Sequence, residues 1–557
     1  MSSTFLANKN KITERLRSND PKLVFLVHGT AGENGRLGAI KKTVRLFHHL
    51  PEELLGACNT EADLVEAMVS HGMPKPSVCG GAWPGHGFSD ALAGNSVLTC
   101  LTLNRSYLEE GKLFGRCLAV NSTLQILFIN KLRSNQSWVV GLGEGLAGNS
   151  ALTSITIHNT PICEEAATRI GEGLKVNSTL TQLSLYENQI GEEGGNRIVE
   201  ALNLNSTLTN LELSKNRLGK DLGVKFGEAL VVNSTLTFVK LSSNKIASKG
   251  GMKIVGALSR NASLAYLDLS SNPLGVLCGR KIGEMLAANT ALVELVLHHC
   301  TIGKGVTAKI GAGLAANSTL TRLDLSNNQI EERTAGKIGD ALALNSALTS
   351  LNLSFNEIGE AGQEIGASLA VNSTLTSLNL SFNQIGEGAG ERIGASLAVN
   401  STLKSLHLGN NQIRARGGDV IGEALLVNAS LTDLNLRENI IGDIGVAMIG
   451  VALAVNSTLS KLDLEYNSIG PVAKARLAQG LAGNSSLTSL NPFYRGAISN
   501  CLERNTHNVH LKMVSLVFLL LPCLPSAFAH QKEALQCRKR ATPSSGRSHP
   551  KKPPAKR

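Results

Sequence analysis

The chain has 557 residues, of which 42% are apolar and only 4% aromatic, and it carries a formal net charge of +11. The 27 residues from Gln531 onward carry +8 of that charge, so the preceding 530 residues are close to neutral and the basic isoelectric point describes the tail. The ten cysteines form no C-x-x-C pair and no zinc-ligand spacing, which disfavours a zinc site and favours reduced thiols in an intracellular protein.

Residues 1–84 form an N-terminal region whose pattern predicts no particular fold, although it could cap the region that follows. Its first 20 residues are polar and lack an apolar core, so they do not predict a secretory signal. The apolar run Leu23–Gly29 precedes a glycine-rich stretch that lacks the lysine of a Walker loop, and the chain contains no G-x-S-x-G nucleophile motif. We therefore predict no enzyme activity, no catalytic residue and no cofactor.

From residue 85 to residue 493 one phrase repeats, in its fullest form Asn-Ser-Thr-Leu-Thr-x-Leu-x-Leu-x-x-Asn-x-Ile-Gly. Twelve of the fourteen intervals between its opening leucines are 28 residues long, one is 26 and one is 27. A fixed period of this length with leucines at L-x-x-L-x-L predicts a solenoid of stacked repeats. The opening leucines are Leu98, Leu124, Leu152, Leu180, Leu208, Leu236, Leu264, Leu292, Leu320, Leu348, Leu375, Leu403, Leu431, Leu459 and Leu487.

The unit that begins at Leu375 shows what each repeat should form. Leucines that alternate with polar residues over Leu375–Leu380 predict a short strand, and Asn383 follows where the chain turns. Apolar residues spaced four apart over Ala389–Leu397 predict one buried helix face. Asn400 stands at the helix end, where we expect a left-handed cap residue.

This 28-residue unit with a full helix resembles the ribonuclease-inhibitor-like subclass of leucine-rich repeats, and its wording is similar to the repeats of CARD-containing NOD-like receptors. The resemblance implies an α/β solenoid of about 15 repeats, a horseshoe with parallel strands on the concave face and helices on the convex face. Members of this subclass inhibit ribonucleases, activate the Ran GTPase, sense ligands within larger receptors or act as adaptors. No nucleotide-binding module is predicted before the repeats of this chain.

Two motifs inside the repeats could suggest other chemistry. Asn-x-Ser/Thr sequons recur at Asn177, Asn205, Asn233, Asn317 and elsewhere; we interpret them as helix caps generated by the repeat, which would matter only in a secreted chain. His298-His299-Cys300 could suggest a metal, but adjacent strand residues point to opposite sides and Cys300 replaces the turn asparagine. We therefore predict no metal site.

The C-terminal part divides into two predicted segments. Residues 494–530 include the apolar run 513–528, which is shorter than the roughly 20 residues needed to span a bilayer, so we favour a helical cap over a membrane anchor. Residues 531–557 predict a disordered basic tail. Its basic residues resemble a bipartite nuclear localisation signal that an import receptor would bind, although a plain solvated tail or a contact with nucleic acid or anionic membrane stays open. Those residues are Arg538, Lys539, Arg540, Lys551 and Lys552.

The outward positions of the strands are the candidate partner-binding site. Aromatic and charged residues framed by small polar ones suit a protein-binding face, and the density of charge is greatest near the C-terminal repeats. The candidate residues are Tyr186, Lys240, Asp268, Arg322, Asp324, Phe355, Phe382, His407, Asp433, Arg437, Glu438, Lys461, Asp463, Glu465 and Tyr466.

These observations predict a non-enzymatic scaffold or regulator that binds a protein on its concave face, in the cytoplasm or the nucleus. The resemblance leaves two alternatives. One is a Ran-type GTPase-activating protein, although such proteins typically carry an acidic tail and this tail is basic. The other is a sensing or regulatory protein related to NOD-like receptors. No small-molecule substrate is expected.

Overall fold

We describe the fold from a computed structural model. It describes residues 88–104, 112–132, 137–303 and 309–491, together with the backbone alone of residues 24–28, 76–80 and 307–308. The predicted cap at 494–530, including the apolar run 513–528, and the basic tail at 531–557 lie outside the described residues. Most of the N-terminal region 1–84 does so as well, and its role as a cap stays a prediction.

The described strands form one parallel sheet. Strand β1 lies between β2 and β3, and from β3 onward each strand pairs with the next in chain order. The strands are β1 Val24–His28, β2 Pro76–Gly80, β3 Cys100–Asn104, β4 Ile126–Asn130, β5 Ser154–His158, β6 Gln182–Ser184, β7 Asn210–Glu212, β8 Phe238–Lys240, β9 Tyr266–Asp268, β10 Glu294–Val296, β11 Arg322–Asp324, β12 Ser350–Asn352, β13 Ser377–Asn379, β14 Ser405–His407, β15 Asp433–Asn435, β16 Lys461–Asp463 and β17 Ser489–Asn491.

Helices alternate with the strands from residue 88 onward. Helices pack about 8–10 Å apart whereas strands lie about 4.8 Å apart, so the sheet face is the concave one. The helices are α1 Phe88–Ala93, α2 Lys112–Val120, α3 Ser137–Gly148, α4 Glu164–Val176, α5 Gly191–Ala201, α6 Leu222–Val232, α7 Ser248–Leu258, α8 Gly275–Ala288, α9 Thr307–Ala316, α10 Glu332–Leu342, α11 Gly362–Leu369, α12 Glu387–Leu397, α13 Arg414–Leu425, α14 Gly442–Leu453 and α15 Pro471–Gly483; a 3-10 turn, Gly359–Ala361, precedes α11.

The predicted solenoid is confirmed, with β3 to β17 supplying one strand for each of the fifteen repeats. In the repeat that begins at Leu375, the leucines and Ile385 are at most 1% exposed, and the helix residues Ala389, Ile393 and Leu397 are completely buried. The buried side chains form one continuous core from Phe88 to Leu490. Each repeat therefore buries its apolar face only against its neighbours.

A ladder of asparagines joins successive turns inside the solenoid. Asn383 is completely buried; its Nδ2 donates to the carbonyls of Leu353 and Leu380 at 2.9 and 3.0 Å, and its Oδ1 accepts the backbone N–H of Asn356 at 3.0 Å. Most repeats contribute one such asparagine. Its side chain hydrogen-bonds to buried backbone N–H and C=O groups at the turns, where no strand pairing could reach them. Cys300 replaces the asparagine in one repeat and donates its thiol to the carbonyl of Leu269 at 3.2 Å.

A second ladder lies where the helices end. Asn177 accepts the backbone N–H of Leu180 at 2.8 Å and donates to the carbonyls of Leu146 and Asn149 at 2.8 and 3.1 Å. It is extended, with φ −70° and ψ 129°, so the expected left-handed cap is wrong; Asn400 likewise has no positive φ. Four of the sequon asparagines, Asn177, Asn205, Asn233 and Asn317, are at most 6% exposed and their amide nitrogens are hydrogen-bonded, so the folded repeats do not offer these four as glycan acceptors.

The left-handed backbone lies instead on both sides of the turn asparagine. Glu187 and Gln189, which flank Asn188, both have φ near +59°, and the pattern recurs through most repeats. A left-handed conformation costs a non-glycine residue roughly 1–2 kcal/mol. Here the ladder of the neighbouring repeats imposes it on whatever residue occupies the position.

Candidate partner-binding face

From β6 to β17, each strand presents two outward positions on the concave face, with a buried leucine or valine between them. Two further outward positions follow the third leucine of the repeat, and the second of these is the left-handed residue before the turn asparagine. Side chains at equivalent positions are one repeat apart, so they line up in rows across the sheet. The predicted site residues occupy these rows.

At the N-terminal end, His158 is held within a chain of hydrogen bonds. Ser184 donates its hydroxyl proton to Glu212 Oε2 at 2.9 Å, so the His158 Nε2–H must donate to Ser184 Oγ, also at 2.9 Å. Burial lowers the pKa of His158 to about 4, so the ring is neutral at physiological pH. The rings of Phe128 and Tyr186 pack edge-on against it at 5.9 and 5.4 Å.

Lysines cover the aromatic rings of the next repeats. Lys215 Nζ lies 5.1 Å from the centroid of the Tyr186 ring, and a hydrogen bond with the Tyr186 hydroxyl raises the pKa of Lys215. Phe238 and Tyr266 stack at 4.2 Å, and Lys240 lies over both rings. Burial, followed by the charge of nearby carboxylates, raises the pKa of Tyr266. We call His158, Tyr186, Phe238 and Tyr266 the N-terminal aromatic group.

Phe238 and Tyr266 were absent from the residues predicted from the sequence. Both stand at the first outward strand position, exactly one 28-residue period apart and opposite each other in the strand register. That spacing could have identified them. Lys240 and Asp268, which were predicted, are paired in the same register.

In the middle of the face, charged residues pair with neighbours in the adjacent strand. Arg322 Nη1 lies 3.7 Å from Glu294 Oε2, and the arginine side chain is 65% exposed. Asp324 accepts a hydrogen bond from Asn352 Nδ2 at 3.0 Å. Exposed pairs of this kind are worth at most about 1 kcal/mol to the fold, so they leave these residues available to a partner.

Phe355 and Phe382 form an exposed, stacked pair, which we call the phenylalanine pair. Their ring centroids are 4.0 Å apart with an interplanar angle of 11°. The side chains are 51% and 42% exposed. Both residues have a left-handed backbone, with φ of 56° and 59°, at the position that Asn327 and Asn410 occupy in the flanking repeats.

Seven predicted residues lie together over β15 and β16, and we call them the C-terminal charged cluster: Asp433, Arg437, Glu438, Lys461, Asp463, Glu465 and Tyr466. With four acids and two bases, its formal charge is −2. Its members are also linked to the strands on either side. Asp433 lies 3.6 Å from His407 and 3.9 Å from Lys461, and Asp463 accepts a hydrogen bond from Asn491 at 3.1 Å.

Arg437 is the best-positioned residue of that cluster. Its guanidinium carbon lies 4.4 Å from the centroid of the Tyr466 ring, and Nη1 forms an ion pair with Glu465. Tyr466 is 55% exposed and, like Glu438, has a left-handed backbone. The predicted residues therefore do not form one site: those from β14 to β16 are brought together, whereas Tyr186 belongs to the N-terminal aromatic group and Lys240 lies over two of its rings.

The His298-His299-Cys300 motif is dispersed by the structure. His298 Nδ1 hydrogen-bonds to Ser326 Oγ at 2.9 Å, and His299 Nδ1 lies 2.9 Å from Asn327 Nδ2. Burial raises the pKa of the Cys300 thiol to about 12, which keeps it protonated at neutral pH. Among the described residues, no group of three or more His, Cys, Asp or Glu side chains is arranged to hold a metal ion. In the same part of the chain, no helix is long and apolar enough to cross a membrane.

Comparison with known proteins agrees with this architecture. A family model described as "Leucine Rich repeat" matches eight segments, so the repeats of this solenoid are leucine-rich repeats. No curated protein matches the chain in sequence. The matched segments are residues 176–199, 232–255, 316–332, 344–362, 371–394, 399–422, 427–450 and 455–473.

Two solved structures are similar to parts of the chain. An internalin (inlF) from Listeria monocytogenes is 21% identical with a TM-score of 0.43, over 63% of this chain and 89% of that one. A structure described as leiomodin-1 actin-binding site 2 is 17% identical with a TM-score of 0.20, over 40% of this chain and 90% of that one. The finer resemblance to the ribonuclease-inhibitor-like subclass and to NOD-like receptors stays a prediction.

Proposed function

We propose that this leucine-rich-repeat solenoid binds a protein partner on its concave face, with the contact centred on the phenylalanine pair and the C-terminal charged cluster. The observation that carries the proposal is the exposure of two stacked aromatic rings on backbone that disfavours them. Phe355 and Phe382 expose about half of their side chains at φ near +57°. Exposed aromatic anchors framed by polar residues are typical of the centre of a binding site.

The conformational energies indicate that Phe355 and Phe382 do not stabilise the fold and have another role. Two left-handed non-glycine residues cost roughly 2–4 kcal/mol together. A stacked aromatic pair returns about 0.5–1.5 kcal/mol beyond its buried area, and these rings remain largely exposed. Asparagine adopts the same conformation more readily and occupies the equivalent position in both flanking repeats. Phenylalanine therefore does not serve the solenoid at these positions, and a bound partner would recover the cost.

The charged cluster would orient that partner. Arg437 is held by Glu465 and the Tyr466 ring, so little side-chain entropy is lost when a partner contacts it. From β12 to β16 the face extends over about 20 Å, given strands about 4.8 Å apart. A partner of matching chemistry presents apolar side chains to the phenylalanine pair and a polar, partly basic surface to the cluster, whose charge is −2.

The test separates binding from folding. Phe355→Asn/Phe382→Asn introduces the residue that the flanking repeats already carry, so we expect the melting temperature to be unchanged or raised. The control, Ser243→Asn/Ser271→Asn, introduces the same residue at the same left-handed position in two other repeats without removing an aromatic ring. Proteins captured by the full chain are quantified by mass spectrometry, and the affinity of the strongest is measured. A loss of at least about 30-fold in the phenylalanine variant alone supports the proposal.

Equal capture by the wild type and both variants would contradict it. A further variant, Arg437→Ala/Tyr466→Ala, tests the cluster separately. Binding that depends on Arg437 and Tyr466 but not on the phenylalanine pair would move the site to the C-terminal repeats.

The alternatives and the compartment rest on the resemblance and on the tail sequence. Stimulated GTP hydrolysis by Ran on adding the chain would establish the Ran-type activator; an unchanged rate would remove it. The role related to NOD-like receptors stays a prediction from the amino-acid sequence of the repeats. Deleting residues 531–557 from a fluorescent fusion tests import, and an unchanged nuclear fraction would contradict a localisation signal in the tail.

A further inference from the structure

A second surface, separate from the concave face, lies along the edge of the solenoid where the helices end. In five successive repeats, the two residues before the helix-end asparagine and the one after it are exposed, and all are small or apolar. We call these fifteen residues the apolar edge. They are Ala343, Leu344, Ser346, Ala370, Val371, Ser373, Ala398, Val399, Ser401, Leu426, Val427, Ala429, Ala454, Val455 and Ser457.

The exposure of the large residues in this edge is unusually regular. Leu344 is 74% exposed, and the valines at the same position in the next four repeats are 65–66% exposed. No charged residue interrupts the edge between residues 343 and 457 at these three positions. Contiguous exposed apolar surface of this kind marks an interaction site.

The helix-end asparagines hold the edge at a fixed spacing. Asn400 Nδ2 donates to the carbonyl of Asn372 at 3.1 Å, and Asn428 Nδ2 donates to that of Asn400 at 2.9 Å. Each exposed valine directly precedes one of these buried asparagines. The valines are therefore evenly spaced ridges on a rigid support, and the gaps between them are equally regular.

We infer that the apolar edge binds the apolar edge of a second copy of this chain. A two-fold axis perpendicular to the edge places each of the evenly spaced ridges opposite a ridge of the partner copy, so the surface matches itself. The uncharged surface opposes no like charges, and the small serine and alanine residues allow close approach. Fifteen residues from each copy approach the roughly 20–30 per side of a standard interface, so we expect a concentration-dependent dimer.

The symmetry predicts which residues meet. Because the edge spans five repeats, the axis passes through the third, and Val399 lies opposite Val399 of the second copy. Val371 then lies opposite Val427, and Leu344 lies opposite Val455.

Molar mass in solution is the first test. At concentrations up to about 100 µM we expect the average mass of the wild type to rise from 58.7 kDa towards twice that value. Val399→Lys/Val427→Lys should stay at 58.7 kDa. The control Val176→Lys/Val232→Lys changes valines that are 65% and 62% exposed at the same repeat position outside the edge, and it should behave like the wild type. A monomeric wild type, or an edge variant that still dimerises, overturns the inference.

Crosslinking tests the antiparallel arrangement against a wild-type background. Val399→Cys alone should crosslink into a dimer, Val455→Cys alone should not, and Leu344→Cys/Val455→Cys should. Equal crosslinking of the two single variants overturns the proposed axis. A monomer in which maleimide fails to label Val399→Cys also overturns the dimer, because another segment of the same chain then covers the edge.

Discussion

The two ends of the concave face carry similar side chains but hold them in different ways. In the N-terminal aromatic group the rings pack against one another, lysines cover them, and His158 is held in a hydrogen-bond chain. Towards the C-terminus, Phe355, Phe382 and Tyr466 stand on left-handed backbone with about half of each side chain exposed. The first arrangement uses aromatic residues to complete the surface of the fold, whereas the second leaves about half of each aromatic residue exposed to solvent.

The difference teaches that stacking alone does not identify a binding site. Phe238 and Tyr266 stack at 4.2 Å, and Phe355 and Phe382 stack at 4.0 Å, so the ring geometry is nearly the same. What differs is the backbone that supports the rings and the surface that remains exposed. Variants of either end can test whether backbone conformation and exposure distinguish rings that bind a partner from rings that stabilise the fold.

The comparison first requires that the turn asparagines stabilise the solenoid equally at both ends. Asn216 and Asn383 are both completely buried, and each donates to three carbonyls and accepts a backbone N–H. Replacing either with alanine leaves these groups unpaired, so we expect each variant to lose about 4 kcal/mol of unfolding free energy. Urea denaturation measures this loss. A difference of more than about 2 kcal/mol between the two variants would attribute the contrast to the scaffold instead.

The pH dependence of stability should originate at the N-terminal end. The pKa of His158 falls from 6.5 to about 4 on folding, so between these values the unfolded chain binds more protons. This contribution to stability is fully present above pH 6.5 and is lost as the pH falls to about 4, with a total on the order of 3 kcal/mol. Denaturation at several pH values measures it. If His158→Gln retains the same slope as the wild type, other groups are responsible.

Exchanging the aromatic pairs for polar residues should affect different properties at the two ends. Phe238→Ser/Tyr266→Ser removes rings that complete the fold, so we expect a loss of about 2 kcal/mol in stability with partner binding unchanged. Phe355→Asn/Phe382→Asn should do the reverse, with a loss of about 2 kcal/mol in binding and unchanged stability. Calorimetry gives both quantities for each variant. The comparison fails if both variants lose binding and stability in the same proportion.

The smallest expected effect lies at the boundary between the two ends. Cys300 occupies the place of a turn asparagine, and its sulfur cannot accept hydrogen bonds from the preceding repeat as strongly as an amide oxygen does. Cys300→Asn should restore the ladder that Asn272 and Asn328 form on either side and raise the unfolding free energy by about 1 kcal/mol. A lower melting temperature would show instead that the packing of the thiol outweighs the missing hydrogen bonds.

The leucine period was sufficient to predict the strands, the helices and the outward rows, because the same positions are buried in every repeat. It did not predict the backbone conformation. Asn400 was expected to be left-handed by analogy with helix caps, but the left-handed residues include Phe382, Tyr466 and even the β-branched Ile440. Hydrogen bonds between neighbouring repeats impose that conformation, so it cannot be predicted from the conformational preference of each residue.

The candidate site was predictable to the same limited extent. Alternation along the strand placed Arg437, Glu465 and Tyr466 on one face, and the period placed them in adjacent repeats. Which of these side chains pair with each other, and which remain exposed, depends on contacts between repeats. Phe238 and Tyr266 could have been found from their spacing, but their partial burial could not.

The one repeat that is 27 residues long shows how such a chain can change its length over evolution. Asn356 and Asn383 are 27 residues apart rather than 28, yet the backbone N–H of the first still meets the amide oxygen of the second at 3.0 Å. The missing residue coincides with the 3-10 turn Gly359–Ala361 on the outer side. Insertions and deletions are thus tolerated on the convex surface while the interior stays in register, and unequal crossing-over can add or remove whole units without the chain losing its fold.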